Sequence, residues 1–167
     1  MDGVLTDTHF FQRDRMGRLL TFLARAASNG WGRTFPDSEV KAGAGAVKKK
    51  EILGCAISEH TWLAIDGVSG VASFHGVGPV YLVRPNDNRT GTVVAEGKPL
   101  TLLNARVLRW NSSSTHHASD RFSFKTWQPV HGFTAHSDPL GDTRFNLSAV
   151  VGVVRSTAQG GGVYGKN

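Results

Sequence analysis

The chain has 167 residues, a formal net charge of +6 and a single cysteine. This length allows one domain with a sizeable core and an extension, and one cysteine excludes an intrachain disulfide framework and thiolate zinc clusters. The longest apolar runs are too short to span a bilayer, and Asp2 and Asp7 precede any apolar run. The sequence therefore predicts no contact with a membrane and no signal peptide.

Residues 1–46 are predicted to form a helix and a hinge outside the main domain. Apolar residues recur at helical spacing over residues 11–27, and Asp7 or Thr8 could cap this helix. Residues 42–46 contain only Ala and Gly, which lack the bulk to fill a core and are typical of a flexible hinge. We therefore expect the helix to be dispensable for folding of the rest.

Short apolar runs alternate with turn formers over residues 47–157, which predicts a β-rich domain. The predicted strands cover residues 52–57, 61–65, 70–74, 80–84, 90–94, 100–110, 121–127 and 144–155. Asp66-Gly67 is a strong hairpin signal between two of them. The spacing favours a mainly β fold, a small antiparallel sandwich or barrel-like domain with an N-terminal helical extension. The Gly-rich residues 158–167 predict a flexible tail.

Residues 80–110 predict a three-stranded antiparallel meander and carry a family-like pattern. The pattern consists of Val83-Arg84, Gly91-Thr92-Val93, Gly97-Lys98, Thr101-Leu102, Asn104-Ala105-Arg106 and Trp110. In these residues the segment resembles a family of small bacteriophage-encoded proteins of unassigned function. The loop after Arg84 is shorter than in that family, and the resemblance fades after Trp110. It implies a phage accessory or virion gene and no known reaction.

Arginines and aromatic residues cluster around the meander, and this combination predicts a site for an anionic ligand. Arginine forks bind phosphate, and aromatic rings stack on bases. The candidate ligand-binding residues are Tyr81, Arg84, Arg89, Arg106, Arg109 and Trp110. The competing interpretation places Trp110 in the core and leaves the arginines solvated.

The sequence contains no complete catalytic or metal motif, so it predicts a protein that is not an enzyme and has no cofactor. Asp2-Gly3 resembles the opening of a haloacid-dehalogenase-type phosphatase, but the nucleophilic aspartate would have to precede Met1. The loop histidines match no zinc spacing and form no convincing triad with their neighbours. They are His116, His117, His131 and His136.

These features predict a small phage-type protein in the host cytoplasm, a homo-oligomer that binds nucleic acid or an immune-signalling nucleotide. The alternative is a virion component, such as a capsid decoration or tail protein, that acts through contacts with other virion subunits. A hydrolase whose site matches no motif is a third possibility.

Overall fold

The computed structural model describes residues 1–34, 50–85, 93–95, 101–110, 121–130, 143–150 and 153–158. In chain order the elements are β1 (Val4–Thr8), α1 (Met16–Ser28), β2 (Arg33–Thr34), β3 (Lys50–Glu51), β4 (Leu53–Ile57), β5 (Thr61–Ile65), β6 (Val71–Gly76), β7 (Val80–Arg84), β8 (Thr101–Trp110), β9 (Arg121–Ser123), β10 (Gln128–Pro129), β11 (Thr143–Val150) and β12 (Val153–Ala158).

The strands form two main sheets and a small ribbon. The larger sheet has the order β1-β4-β7-β8-β11-β12, the smaller one has the order β10-β9-β6-β5, and β2 pairs with β3. Neighbouring strands are antiparallel except for β1 and β4, which run parallel. The mainly β class expected from the sequence is confirmed, and the described strands form a sandwich that does not close into a barrel.

Helix α1 covers one face of the larger sheet. The core on this side consists of Phe10, Met16, Leu19, Leu20, Leu23, Ala24, Ala56, Tyr81, Val83, Ala105 and Val107. The helix comes close to β4 at Gly54, where a Cβ atom would lie 2.9 Å from Leu23 Cδ1 and 3.2 Å from Leu19 Cδ2. The absence of a side chain at residue 54 therefore sets the distance between helix and sheet.

The smaller sheet covers the opposite face. This second core consists of Leu53, Cys55, Ala72, Phe74, Val80, Leu82, Trp110, Phe122, Phe124 and Trp127. Because side chains alternate along a strand, β7 sends Tyr81 to one core and Leu82 to the other, which explains its uninterrupted apolar sequence. Cys55 is 1% exposed, and burial raises the pKa of its thiol to about 12, so this cysteine packs as a small apolar residue.

The N-terminal segment differs from the sequence-based expectation. The helix begins at Met16 rather than near residue 11, and Arg15 takes the N-cap position without a side-chain hydrogen bond. Asp7 is no cap, because it lies in β1.

Both β1 and α1 are integral to the sandwich and its core. β1 extends the larger sheet beside β4, from Val4 opposite Leu53 to Thr8 opposite Ile57. Since α1 also supplies one wall of a core, we now expect that removal of residues 1–34 unfolds the described domain, contrary to the dispensability expected from the sequence. The predicted hinge at residues 42–46 lies outside the described residues.

The predicted meander is wrong in its middle strand. β7 pairs directly with β8, with Val80 opposite Trp110, and β4 occupies the other edge of β7. No strand can therefore lie between β7 and β8, and most of residues 90–94 fall outside the described part of the chain.

The predicted strand over residues 144–155 is instead a hairpin of β11 and β12, with Val150 opposite Val153. Gly152, which the sequence prediction includes in one long strand, lies outside the described residues.

The hairpin predicted at Asp66-Gly67 is confirmed. β5 and β6 pair antiparallel, and one oxygen of Asp66 accepts hydrogen bonds from Val68 N at 3.2 Å and from Ser69 N at 2.5 Å. The Ser69 hydroxyl also donates to this carboxylate, and these hydrogen bonds lower the pKa of Asp66.

No helix within the described residues has the length and apolar character that a membrane span requires.

We expect the substitution Leu19→Ala to lower the free energy of unfolding by about 2–5 kcal/mol, because it opens a cavity between α1 and the sheet. Phe22→Ala is the matched control on the same helix, since Phe22 is 52% exposed while Leu19 is fully buried. The control should stay within about 0.5 kcal/mol. Denaturant titration measures both values, and equal losses would show that α1 does not pack as described.

Candidate functional site

The residues predicted to bind an anion do not come together in one site. Tyr81 and Trp110 are both 1% exposed, and they lie in the two different cores on opposite sides of the larger sheet. Trp110 packs with Phe74 at a ring-centroid distance of 5.5 Å, and Tyr81 packs with Phe10 at 5.3 Å. Both aromatic residues thus serve packing, as the competing interpretation of the sequence holds for Trp110.

Arg84 is buried rather than offered to solvent. Its Nε and Nη2 atoms each lie 2.9 Å from Oε2 of Glu51, which is also buried. Arg84 lines an open cleft of about 210 Å³ between the sheets, together with Phe122 and Trp127. Because Glu51 neutralises its charge, Arg84 is a weaker anion anchor than the sequence suggested.

Arg109 does not line this cleft, and the side chains of the other two predicted arginines are not described by the structure. Arg109 is partly buried at the register position opposite Tyr81. Position 106 lies opposite Arg84 on β8, but the Arg106 side chain and all of Arg89 fall outside the described residues. The loop histidines His116, His117, His131 and His136 fall outside them as well.

A different cluster of polar side chains forms at the carboxyl ends of β1 and β4. Because these two strands are parallel neighbours, the turns that follow them begin at the same edge of the sheet, with Thr8 opposite Ile57. Ligands of α/β sheets commonly bind at the carboxyl ends of parallel strands. The turn after β1 begins with His9, and the turn after β4 contains Glu59.

His9 and Glu59 form the central contact of this cluster. His9 Nδ1 lies 2.9 Å from Glu59 Oε1, and the two side chains are 51% and 33% exposed. The backbone N–H of Glu59 donates to Oε1 of Gln12 at 3.1 Å, which ties the two turns together a second time. A carboxylate at this nitrogen favours the neutral tautomer that has the proton on Nδ1 and the lone pair on Nε2.

The turn that holds His9 is firmly anchored. Phe10 is fully buried, and its N–H donates to the carbonyl of Ile57 at 3.2 Å. The N–H of Arg15 donates in turn to the carbonyl of Phe10 at 3.2 Å. The imidazole therefore projects from a turn whose base is held by the core.

Backbone strain concentrates at this cluster. Among the described residues, four that are not glycine have a positive φ, and three of them are His9 at 50°, Asp14 at 47° and His60 at 56°. Such conformations cost about 1–3 kcal/mol each, persist only where the surrounding structure holds them, and are common at functional sites. The fourth is Trp127 at 56°, in the turn between β9 and β10.

A buried carboxylate beside His9 organises two arginines. Asp7 is 7% exposed, and Arg18 contacts both of its oxygens, with Nε donating to Oδ2 at 3.0 Å and Nη2 donating to Oδ1. Arg15 Nη1 lies 3.4 Å from Asp7 Oδ1 and donates to the carbonyl of Thr8 at 2.7 Å. One carboxylate thus faces two guanidinium groups, and the Arg18 side chain is 44% exposed.

The amino end of α1 adds a positive partial charge at the same place. The helix starts directly after Arg15, has no side-chain cap and carries no acidic residue in its first turn. Helix N-termini of this kind favour anions. The cluster therefore combines a proton acceptor with cationic groups that can hold an anionic substrate.

Within the described residues, no group of three or more His, Cys, Asp or Glu side chains could hold a metal ion. No protein-family model matches the chain, and no curated protein matches it. The resemblance of residues 80–110 to phage proteins consequently stays a prediction.

Sequence reasoning missed His9, Glu59, Arg15 and Arg18. The sequence gives little indication of a strand at Val4–Thr8, because this segment is short and partly polar. In the sequence-based interpretation, Asp7 instead caps the predicted helix. An assignment of this segment to a strand parallel to β4 would have placed His9 beside Glu59.

We expect Arg84 to act in stability rather than in binding. Arg84→Met should lower the free energy of unfolding by about 3–5 kcal/mol, because it breaks a buried ion pair by removing one of the two charges. The double variant Arg84→Met/Glu51→Leu should recover most of that loss in a denaturant titration. A single variant as stable as the wild type would contradict the structural role of this ion pair.

Proposed function

We propose that this protein is a hydrolase of an anionic substrate in which His9 is the general base and Glu59 orients it. The contact between His9 Nδ1 and Glu59 Oε1 carries the proposal, because a base held by a carboxylate is a recurring arrangement in hydrolytic sites. As expected from the sequence, the proposed ligand is anionic. We propose that it binds near Arg15 and Arg18 rather than at the arginines of β7 and β8.

The proposed reaction uses the free side of the imidazole. Nε2 of His9 accepts a proton from a water molecule or another hydroxyl group, whose oxygen then attacks the carbonyl carbon of an ester or amide. Glu59 stabilises the imidazolium that forms. The imidazolium returns the proton to the leaving group as the bond to the carbonyl carbon breaks, so His9 ends the cycle neutral.

The neighbouring charges support an acidic substrate. A carboxylate or phosphate held by Arg18 and the amino end of α1 would lie beside the turn that carries His9. Binding energy from such a remote anion can position the scissile bond against the base. Asp7 acts in this scheme as the support that holds both guanidinium groups in place.

We expect hydrolysis of p-nitrophenyl hydrogen succinate, and we expect His9→Gln to lower its kcat/KM by about 10²- to 10⁴-fold, the usual contribution of a general base. Glu59→Gln should also lower kcat, because the imidazole loses its orientation and its counter-charge. Release of p-nitrophenolate measures the rates. His75→Gln, on the smaller sheet, is the matched control and should leave them unchanged.

A comparison of an anionic with a neutral ester tests whether the arginines bind the substrate. Arg18→Gln should raise KM for the succinate ester more than for the neutral p-nitrophenyl acetate, and added salt should have the same selective effect. Hydrolysis of neither ester above background, or equal rates for wild type and His9→Gln, would contradict the proposal. Large closed assemblies that form without ligand would favour the virion role instead.

A further inference from the structure

We propose that two copies of this chain dimerise through the edge strand β5, which would join their smaller sheets into one continuous sheet. In the part of the chain that the structure describes, β5 lies at the end of its sheet, with β6 on one side only. Its sequence, Thr-Trp-Leu-Ala-Ile, contains none of the lysines or prolines that commonly protect such edges. This proposal does not depend on the proposed hydrolysis.

The backbone of β5 has the pattern that a symmetric pair requires. Asp66 N donates to Val71 O at 2.9 Å, and Val77 N donates to His60 O at 3.2 Å, so the even-numbered positions bond toward β6. By the alternation of an antiparallel ladder, the backbone groups of Thr61, Leu63 and Ile65 point toward the open edge. A two-fold axis at Leu63 then places Thr61 opposite Ile65 of the second copy. In this register each outward backbone N–H lies opposite a backbone carbonyl of the other copy.

The side chains fit the same register. The axis at Leu63 places Trp62 opposite Ala64 of the second copy, so a large side chain meets a small one on the outer face of the sheet. Trp62 is 59% exposed and stacks on His75 with ring centroids 5.5 Å apart. Exposed tryptophans are enriched at protein interfaces, where they supply much of the binding energy.

Further exposed apolar side chains lie at the two ends of the hairpin. Val68, in the turn between β5 and β6, is 84% exposed, and Val77, directly after β6, is 74% exposed. Exposed apolar side chains thus lie on β5 and at both ends of the β5–β6 hairpin.

The residues that flank β5 can also pair in this register. His60 falls opposite Asp66 of the second copy, where its imidazole can donate a hydrogen bond to the carboxylate, and the second contact is identical by symmetry. Hydrogen bonds within the turn keep the Asp66 carboxylate ionised by lowering its pKa. A shift of the register by one residue would separate these groups and turn the paired side chains to opposite faces.

Sedimentation velocity across a wide concentration range tests the proposal on the full chain. We expect a species of twice the chain mass of 18.0 kDa. Ala64→Lys should raise the dissociation constant of the dimer by about tenfold or more, because it adds a charge opposite Trp62 and protects the edge. Phe22→Lys removes an exposed apolar residue from α1 instead, and as the matched control it should leave the dimer intact.

Amide hydrogen exchange of the wild-type protein tests the dimer interface independently. The N–H of Leu63 should exchange more slowly as protein concentration rises, whereas the N–H of Val77, which is bonded within one chain, should not respond. A monomer at all concentrations overturns the proposal. A dimer that Ala64→Lys leaves unchanged, or a Leu63 amide insensitive to concentration, overturns the assignment to β5.

Discussion

The parallel pairing of β1 with β4 is the constraint on which the candidate site depends. An antiparallel arrangement would put the turns after these strands at opposite edges of the sheet. The parallel one brings both turns to the same edge, and the ladder from Val4↔Leu53 to Thr8↔Ile57 fixes their separation. His9 meets Glu59 because each follows its strand within two residues.

Both cores maintain this geometry. The larger sheet is covered by α1 on one face and by the smaller sheet on the other, so strands such as β4 and β7 are buried on both sides. Close approach of α1 at Gly54 then fixes the helix relative to β4, and with it Arg15 and Arg18 at the amino end of the helix. The site is thus built on rigid elements, although its reactive groups lie in turns.

The sequence predicted the architecture better than the site. Apolar runs and Asp66-Gly67 identified β4 to β8 within a few residues, because each of these strands contains apolar residues and is flanked by turn formers. The sequence does not predict β1, because only Val4 and Leu5 are apolar in this strand. Tyr81 and Trp110 were assigned to a ligand because local sequence cannot tell a stacking platform from a core residue, which only the second sheet and the helix decide.

A long-range ¹H–¹⁵N spectrum of the His9 ring reports the pairing of the two turns without any substrate. If Glu59 holds the ring, the spectrum shows a single neutral tautomer with the proton on Nδ1 and a hydrogen-bonded proton signal, and Glu59→Gln loses both features. A ring that exchanges freely between tautomers, with a spectrum that Glu59→Gln leaves unchanged, would show that Glu59 does not hold His9.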